Sequence, residues 1–290
     1  MFKGSFVAIV TPFKNGKVDY DTFKKLIEFQ IKEGTNGIVP CGTTGESATL
    51  SHQEHEEVIK FTIDTVAKRV PVIAGTGSNS TIEALKLTRS AKDMGADAAL
   101  LISPYYNKPT QKGIYEHYKY LNDNVDIPMI IYNVPGRTSS NIKAETTVEL
   151  STLKNMAGVK EASGNIVQVS KIARDAQKGF CILSGDDALT FPKVCSGAHG
   201  VISVSANIVP AKMAKMVALT LEGKLEEARA IHLELLEINT QLFMETNPIP
   251  VKEALGLMKM IEPEFRLPLT NIAKENKEKL KKILKNYKLI

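Results

Sequence analysis

Tryptophan is absent from this 290-residue sequence, and cysteine and long apolar runs are scarce. Cys41, Cys181 and Cys195 show neither Cys-x-x-Cys spacing nor a paired Cys/His cluster, so we expect reduced thiols and no bound metal. No stretch approaches the roughly 18 apolar residues that a membrane-spanning helix needs, and the N-terminal apolar run is too short for a signal peptide. These absences argue against a disulfide scaffold and predict a cytoplasmic protein that does not act at a membrane.

Charge of one sign is also lacking outside a single short segment. The formal net charge is +5, and residues 274–290 alone hold seven lysines and two glutamates, which is the same excess. Residues 1–273 are therefore neutral as a whole, and we expect no nucleic-acid partner. Leu280, Ile283 and Leu284 recur at helical spacing in the basic segment, which predicts an amphipathic helix packed on the rest of the protein or on a partner subunit.

Short apolar runs alternate with helical stretches along the first 208 residues. Eight runs of four to six residues are nearly continuous in apolar character, which is typical of parallel strands buried on both faces. Possible capping boxes at 51–54 and 80–83 predict helix starts, and Gly34 and Gly95 stand where helices would end. Eight strand–helix repeats predict an α/β fold, a (β/α)8 TIM barrel, rather than a doubly wound sheet. The runs are Phe6–Val10, Gly37–Cys41, Pro71–Ala74, Ala98–Ile102, Pro128–Tyr132, Met156–Lys160, Phe180–Leu183 and Gly200–Ser203.

After residue 208 the pattern becomes wholly helical. We expect a catalytic barrel domain over residues 1–223, followed by a C-terminal helical extension over residues 224–290 that forms a second domain. The predicted helices are the eighth barrel helix Pro210–Leu221 and then Leu225–Glu245, Val251–Met260 and Ile272–Tyr287.

Active sites of such barrels lie at the carboxyl ends of the strands, and the most unusual residue at a run end is Lys160. Strand alternation puts Lys160 and Gly158 on one face and Val159 on the other, so the lysine points into the barrel if helices cover Val159. Burial favours the uncharged amine, which can attack a carbonyl and form a Schiff base. The alternative is a lysine paired with an Asp or Glu at the strand end.

Other strand ends carry groups suited to a carboxylate substrate. Tyr132 should face inward one strand from Lys160, where a phenol can relay protons. Arg137 follows in a Pro-Gly turn, and its guanidinium can hold a carboxylate through two hydrogen bonds. Thr43 and Thr44 lie between glycines and offer hydroxyls and backbone amides to a carboxylate or oxyanion. A rim aromatic, an exposed loop arginine and a plain glycine-rich turn remain the structural alternatives.

Two features weigh against other chemistries. Asp186 and Asp187 would repel a phosphate in the usual barrel phosphate site, which disfavours phosphosugar substrates. His52 and His55 lie three residues apart on a predicted helix, but no third ligand accompanies them, so we expect no zinc site.

The segments Gly42–Glu46 and Tyr132–Thr138 and the strand-end Lys160 resemble the dihydrodipicolinate synthase (4-hydroxy-tetrahydrodipicolinate synthase) family. N-acetylneuraminate lyases and 2-keto-3-deoxy sugar acid aldolases resemble the chain at the lysine and tyrosine, but they generally lack the Pro-Gly-Arg-Thr segment. A class I aldolase of that kind, and a barrel that only binds anions through its basic C-terminal helix, are the competing hypotheses. Further motifs extend the resemblance over the whole chain: Ser103–Pro109, Leu183–Asp187, Gly200–Ser203 and Asn247–Lys252.

The resemblance implies that Lys160 forms a Schiff base with pyruvate and that the enamine attacks L-aspartate 4-semialdehyde. The product would be 4-hydroxy-tetrahydrodipicolinate, in the first committed step of diaminopimelate and lysine biosynthesis, with no cofactor. The implied protein is a homotetramer, a dimer of dimers. The implied site residues are Thr43, Tyr106 and Tyr132 as a proton relay, with Tyr106 from a neighbouring subunit; Arg137 on the semialdehyde carboxylate; and Thr44, Ile202 and Gly185 in the pyruvate pocket.

The same resemblance implies an inhibitory L-lysine site at a dimer interface. It offers a second interpretation of the histidine pair, which is otherwise two histidines on a helix surface. The matching residues are Ser47, Ala48, His52, His55, Asn79, Glu83 and Tyr105.

Overall fold

The computed structural model describes residues 2–290, in which ten strands form two sheets. Eight strands are parallel neighbours in one sheet, and the other two form a short antiparallel hairpin. The strands are β1 (Gly4–Ala8), β2 (Phe13–Lys14), β3 (Lys17–Val18), β4 (Gly37–Val39), β5 (Ile73–Gly75), β6 (Ala98–Ile102), β7 (Met129–Asn133), β8 (Met156–Glu161), β9 (Cys181–Ser184) and β10 (Gly200–Ser203).

The large sheet curls round until its two edge strands meet. Its strand order is β4-β1-β10-β9-β8-β7-β6-β5, so β4 and β5 are the edges. A parallel bridge pairs Ile38 with Val72, and the Gly75 amide donates to the Pro40 carbonyl at 3.0 Å. These contacts close the barrel, and the predicted TIM-barrel fold is confirmed.

All eight predicted strands are present, and their ends differ by a few residues. The first run extends to Val10, whereas β1 ends at Ala8. Val10 is fully buried, yet its amide donates to the side chain of Asn207 at 3.2 Å instead of to a neighbouring strand. Apolar character therefore marks burial here, and it continues past the point where the strand ladder stops.

The helices lie between the strands and after the last one, with three short 3₁₀ turns at Ser47–Thr49, Asp187–Leu189 and Ser205–Asn207. The α-helices are α1 (Tyr20–Lys32), α2 (His52–Val66), α3 (Thr81–Asp93), α4 (Gln111–Asn124), α5 (Pro135–Thr138), α6 (Ala144–Leu150), α7 (Ile166–Asp175), α8 (Thr190–Cys195), α9 (Pro210–Leu221), α10 (Leu225–Gln241), α11 (Ile249–Leu257) and α12 (Lys274–Asn286).

The predicted helix signals are confirmed with one exception. Ser51 and Glu54 form a complete capping box at the start of α2. Ser80 caps α3, but the Glu83 carboxylate bonds to Ser78 and His52 instead of reaching back to the cap. That box is therefore incomplete, because two polar side chains outside the helix compete for the carboxylate.

Helix α12 packs its apolar stripe on the rest of the protein, as its periodicity predicts. Leu280, Ile283 and Leu284 are buried in one cluster with barrel residues such as Val7 and Ile38. The predicted domain boundary falls between α9 and α10, and the two-domain division stays a prediction. None of the helices in residues 2–290 combines the length and the hydropathy needed to cross a membrane.

Candidate active site

Lys160 and Tyr132 lie side by side at the carboxyl ends of β8 and β7. The two residues are register partners, and the Lys160 amine lies 4.2 Å from the centre of the Tyr132 ring. They are 6% and 7% exposed, and Tyr132 belongs to the apolar cluster inside the barrel. Val159 belongs to the outer cluster under the helices. The predicted inward orientation of both side chains is therefore confirmed by their surroundings.

The Lys160 amine has no charged partner. Within residues 2–290 no carboxylate oxygen lies within 4.0 Å of it, and its side chain makes no hydrogen bond. Gly185 lies against the lysine stem: a Cβ added there would come within 3.1 Å of Lys160 Cε and 2.7 Å of Ala162 Cβ. The structure therefore contains no strand-end ion pair at Lys160, and the stem of this buried lysine leaves room only for glycine at position 185.

The glycine-rich turn after β4 places Thr43 and Thr44 at the same end of the barrel. Thr44 is 2% exposed, Thr43 is half-buried, and the Thr43 carbonyl accepts a hydrogen bond from the Glu46 amide at 3.1 Å. Glu46 has a left-handed backbone with φ of 53°, and its carboxylate pairs with the Lys252 amine at 2.5 Å. Both charged side chains are nearly inaccessible to solvent, so this ion pair fixes the turn to helix α11.

Arg137 lies in the one-turn helix α5, not in the simple Pro-Gly turn that its sequence predicts. Pro135 occupies the first helical position, where a missing amide proton costs nothing. Arg137 is exposed as a residue, and its guanidinium donates to the backbone carbonyl of Asn247 at 3.1 Å. Asn247 also donates from its side-chain amide to the Thr44 hydroxyl oxygen at 3.0 Å.

Ile202 and Tyr106 occupy very different surroundings. Ile202 is 1% exposed on β10, inside the barrel with Tyr132. Tyr106 is 90% exposed, with a left-handed backbone at φ of 70°. The fold of one chain therefore does not bring Tyr106 into the buried cluster of Lys160 and Tyr132.

A polar layer behind β8 supports the lysine from outside the barrel. The buried Glu161 carboxylate accepts hydrogen bonds from Asn133 and Gln168, each at 2.9 Å, and from the Ser163 amide at 2.6 Å. The Glu161 carbonyl accepts from the fully buried Lys193 amine at 2.8 Å. Burial lowers the pKa of Lys193, and the nearby charges of Glu161 and Asp186 oppose that effect.

The residues of the implied lysine site include a hydrogen-bonded group. His52 Nε2 lies 3.0 Å from Glu83 Oε1, and the Asn79 amide donates to the Tyr105 carbonyl at 3.1 Å. The hydrogen bond from Ser78 lowers the pKa of Glu83, whereas burial lowers the pKa of His55. Ser47 and Ala48 lie in the 3₁₀ turn before α2.

Sequence reasoning assigned no role to Glu46, Lys193, Asn247 or Lys252. The one available signal is a charge in an apolar context, as with Lys252 inside the apolar helix α11. Asp187 is buried, and its Oδ2 accepts from the amides of Val204 and Ser205, each at 2.9 Å. Within residues 2–290 no group of three or more His, Cys, Asp or Glu side chains is arranged to hold a metal ion.

A closed barrel with a lone buried lysine at a strand end is the arrangement of the class I aldolases, enzymes that act on carbonyl substrates through a lysine Schiff base. The chain belongs to the dihydrodipicolinate synthetase family, whose family model matches residues 1–287. The resemblance predicted from the motifs is thereby confirmed.

Relatives and solved structures match this chain over its full length or nearly so. The chain is 54% identical over 290 residues to the 4-hydroxy-tetrahydrodipicolinate synthase of Syntrophus aciditrophicus (strain SB), with all of both chains covered. A dihydrodipicolinate synthase structure from Aquifex aeolicus aligns with a TM-score of 0.98, 50% identity and 99% of each chain covered. The enzyme from Acinetobacter baumannii, solved as chloride-inhibited and complexed with pyruvate, gives a TM-score of 0.98 and 45% identity over 100% of each chain.

Proposed function

We propose that this protein condenses pyruvate with L-aspartate 4-semialdehyde to give 4-hydroxy-tetrahydrodipicolinate, the first committed step of diaminopimelate and lysine biosynthesis. Its full-length similarity to enzymes named for this product supports the overall reaction. The observation that carries the mechanism is the Lys160 amine, buried 4.2 Å above the Tyr132 ring and unpaired with any carboxylate in residues 2–290.

The first half of the reaction needs a nucleophilic amine. The neutral Lys160 nitrogen attacks the ketone carbon of pyruvate, and loss of water from the carbinolamine leaves an iminium. Loss of a proton from the pyruvate methyl group gives an enamine, with the iminium as the electron sink, so no organic cofactor is needed. Thr44 and the carbonyl of Ile202 line the pyruvate pocket, and Gly185 leaves space beside the lysine stem.

In the second half, the enamine carbon attacks the aldehyde of the semialdehyde, whose oxygen takes a proton. The amino group of that substrate then attacks the iminium carbon, closes the ring and releases the Lys160 amine. Arg137, exposed at the rim, holds the substrate carboxylate. Tyr132 and Thr43 relay protons together with Tyr106.

Tyr106 performs that role from a second subunit. It is 90% exposed in its own chain, next in sequence to Tyr105, which is 38% exposed. Two adjacent aromatic side chains left in water favour burial against another copy. We infer a tight dimer here, within a cytoplasmic dimer of dimers.

The group of His52, His55, Asn79, Glu83 and Tyr105 takes L-lysine as a regulatory ligand. Glu83 provides a carboxylate for an ammonium group, and the Asn79 amide provides both a donor and an acceptor. A dihydrodipicolinate synthase from Cyanidioschyzon merolae has been solved with lysine bound, at a TM-score of 0.96 and 39% identity.

Borohydride trapping tests the mechanism. Incubation with pyruvate and reduction should add one pyruvate-derived group, located at Lys160 by mass spectrometry, and Lys160→Ala should abolish the adduct. Arg137→Ala should still form the adduct but lose most turnover of aspartate 4-semialdehyde. An adduct at another residue, or no adduct, contradicts the Schiff-base mechanism. Full semialdehyde turnover by Arg137→Ala contradicts the role of Arg137, whereas a wild type that forms the adduct but does not turn over the semialdehyde favours a keto-sugar-acid aldolase instead.

A further inference from the structure

Asn247 connects two parts of the site that come from different strand ends. It lies just before α11 and is 5% exposed. Its side-chain amide donates to Thr44 Oγ1 at 3.0 Å, and its backbone carbonyl accepts from the Arg137 guanidinium at 3.1 Å. One residue of the C-terminal extension therefore contacts both Thr44 in the glycine-rich turn and Arg137 in α5.

The Asn247–Thr44 bond has a defined direction. An amide nitrogen can only donate, so Thr44 Oγ1 must accept and must point its own proton elsewhere. Thr44 is 2% exposed, and its hydroxyl proton has no acceptor among the residues that the structure describes. Asn247 Oδ1 is also buried without a hydrogen-bond partner. Buried polar groups are nearly always paired, so both groups indicate a site that a bound molecule completes.

We propose that Asn247 is a positioning residue, which turns the Thr44 hydroxyl proton towards the carboxylate of pyruvate and at the same time anchors Arg137 for the second substrate. The inference rests on the proposed function, because pyruvate supplies the carboxylate that accepts the proton.

The segment that carries Asn247 is itself held in place. The Lys252 amide donates to the Pro248 carbonyl at 3.0 Å, which sets the first turn of α11. The Lys252 amine pairs with Glu46 at 2.5 Å and donates to the Glu264 carbonyl at 2.6 Å. The segment thus contacts the glycine-rich turn twice, at Thr44 and at Glu46, so Asn247 has little freedom to move away from Thr44.

Asn247→Asp tests the direction of the bond, because it replaces a donor by an acceptor of nearly the same shape. The carboxylate should accept a hydrogen bond from the Thr44 hydroxyl. The hydroxyl oxygen would then turn a lone pair, instead of its proton, towards pyruvate. The KM for pyruvate should rise by about tenfold, the size expected for one lost hydrogen bond to a charged group. The KM for the semialdehyde should change much less, because the backbone carbonyl that holds Arg137 remains.

A double-mutant cycle separates this role from a structural one. Thr44→Val removes the hydroxyl and should raise the KM for pyruvate more than Thr44→Ser, which keeps it. Adding Asn247→Ala to Thr44→Val should raise the KM little further, because the hydroxyl through which Asn247 acts is already absent. Asn247→Ala also avoids a buried carboxylate should Asn247→Asp fold poorly.

Each outcome has a clear meaning. Additive effects in the cycle, or a pyruvate KM within twofold of wild type for both Asn247 variants, overturn the inference. Borohydride trapping of the wild-type protein with pyruvate is run alongside. A wild type that forms no adduct contradicts the proposed function, whereas a normal adduct with unaffected Asn247 variants contradicts only the role of Asn247.

Discussion

Three lysines are buried in the described part of the chain, and their effects on stability differ because their partners differ. Lys160 has no charged partner and faces the barrel interior. Lys252 pairs with a buried carboxylate, Glu46. Lys193 donates to a backbone carbonyl and makes no ion pair within residues 2–290. A buried ammonium is costly unless it is paired, so the same residue type stabilises the fold at one position and weakens it at another.

Substitution by methionine should reveal that difference. Lys252→Met leaves the Glu46 carboxylate unpaired, and breaking a buried pair in this way costs about 3–5 kcal/mol. Lys193→Met removes an unpaired charge, while the Glu161 carbonyl keeps its bond from the Gly185 amide at 2.9 Å. We expect Lys193→Met to raise the free energy of unfolding by about 1 kcal/mol at pH 7. Urea unfolding of both variants measures these changes.

The pH dependence provides a check on the Lys193 variant. Burial lowers the pKa of Lys193, so the folded state bears the cost of the charge below that pKa and loses the cost as the pH rises. The advantage of Lys193→Met should therefore shrink at alkaline pH. If Lys193→Met is several kcal/mol less stable than the wild type at pH 7, the hydrogen bond from Lys193 to the Glu161 carbonyl outweighs the cost of burying the charge.

At the scale of elements, one ion pair joins the start of α2 to the segment after α11. Arg266 donates to both carboxylate oxygens of Glu54, at 2.6 and 2.8 Å. The hydrogen bond from Arg266 is the largest influence that lowers the pKa of Glu54, to about 2. Glu54 also completes the capping box of α2, so this carboxylate serves a helix end and a tertiary contact together.

Glu54→Gln should remove the charge while keeping a side chain that can complete the capping box. The contribution of the pair is complete above pH 4.5 and disappears as the pH falls towards 2, because the folded-state pKa is the lower one. We expect a loss of about 1 kcal/mol at pH 7, reduced because solvent screens the partly exposed pair. Unfolding midpoints at pH 7, 5 and 3 should show the difference narrowing.

The Arg69–Glu28 pair supplies a matched control for that experiment. It is also bidentate, at 2.6 and 2.7 Å, but its side chains are 41% and 45% exposed. Glu28→Gln should change the free energy of unfolding very little at any pH. A difference for Glu54→Gln that stays constant between pH 7 and pH 3 would mean that packing, not charge, accounts for its effect.

At the scale of the whole molecule, α12 packs on α10 and α11 and buries three side chains in a core cluster that also includes barrel residues. Leu284→Ala should lower the free energy of unfolding by about 2–5 kcal/mol, because it leaves a cavity in the shared core. Replacing the four exposed lysines 279, 281, 282 and 285 by glutamine should change it by less than about 0.5 kcal/mol. Chemical denaturation of both variants tests whether the basic segment is a structural helix. A quadruple lysine variant that unfolds early would contradict that conclusion.

Much of the architecture could be predicted because the spacing of apolar residues along short segments indicates strands and helices. The two-residue alternation of a strand places Lys160 opposite Val159, and the structure confirms that placement. Local spacing predicts the wrong partner for Glu83. Its carboxylate should complete a capping box, but it bonds to His52 from another helix. Competition between two partners depends on where α2 lies relative to α3, which neither helix sequence encodes.

By itself the sequence determined the eight strands, the helices between them, and the strand-end lysine and tyrosine, because each follows from residues close together in the chain. Only the tertiary structure decided that Asn247 reaches Thr44 across 203 positions and that Lys252 meets Glu46 across 206. Such contacts depend on how the C-terminal helices dock on the closed barrel. Docking is set by the summed packing of many distant side chains, and no local pattern carries that information.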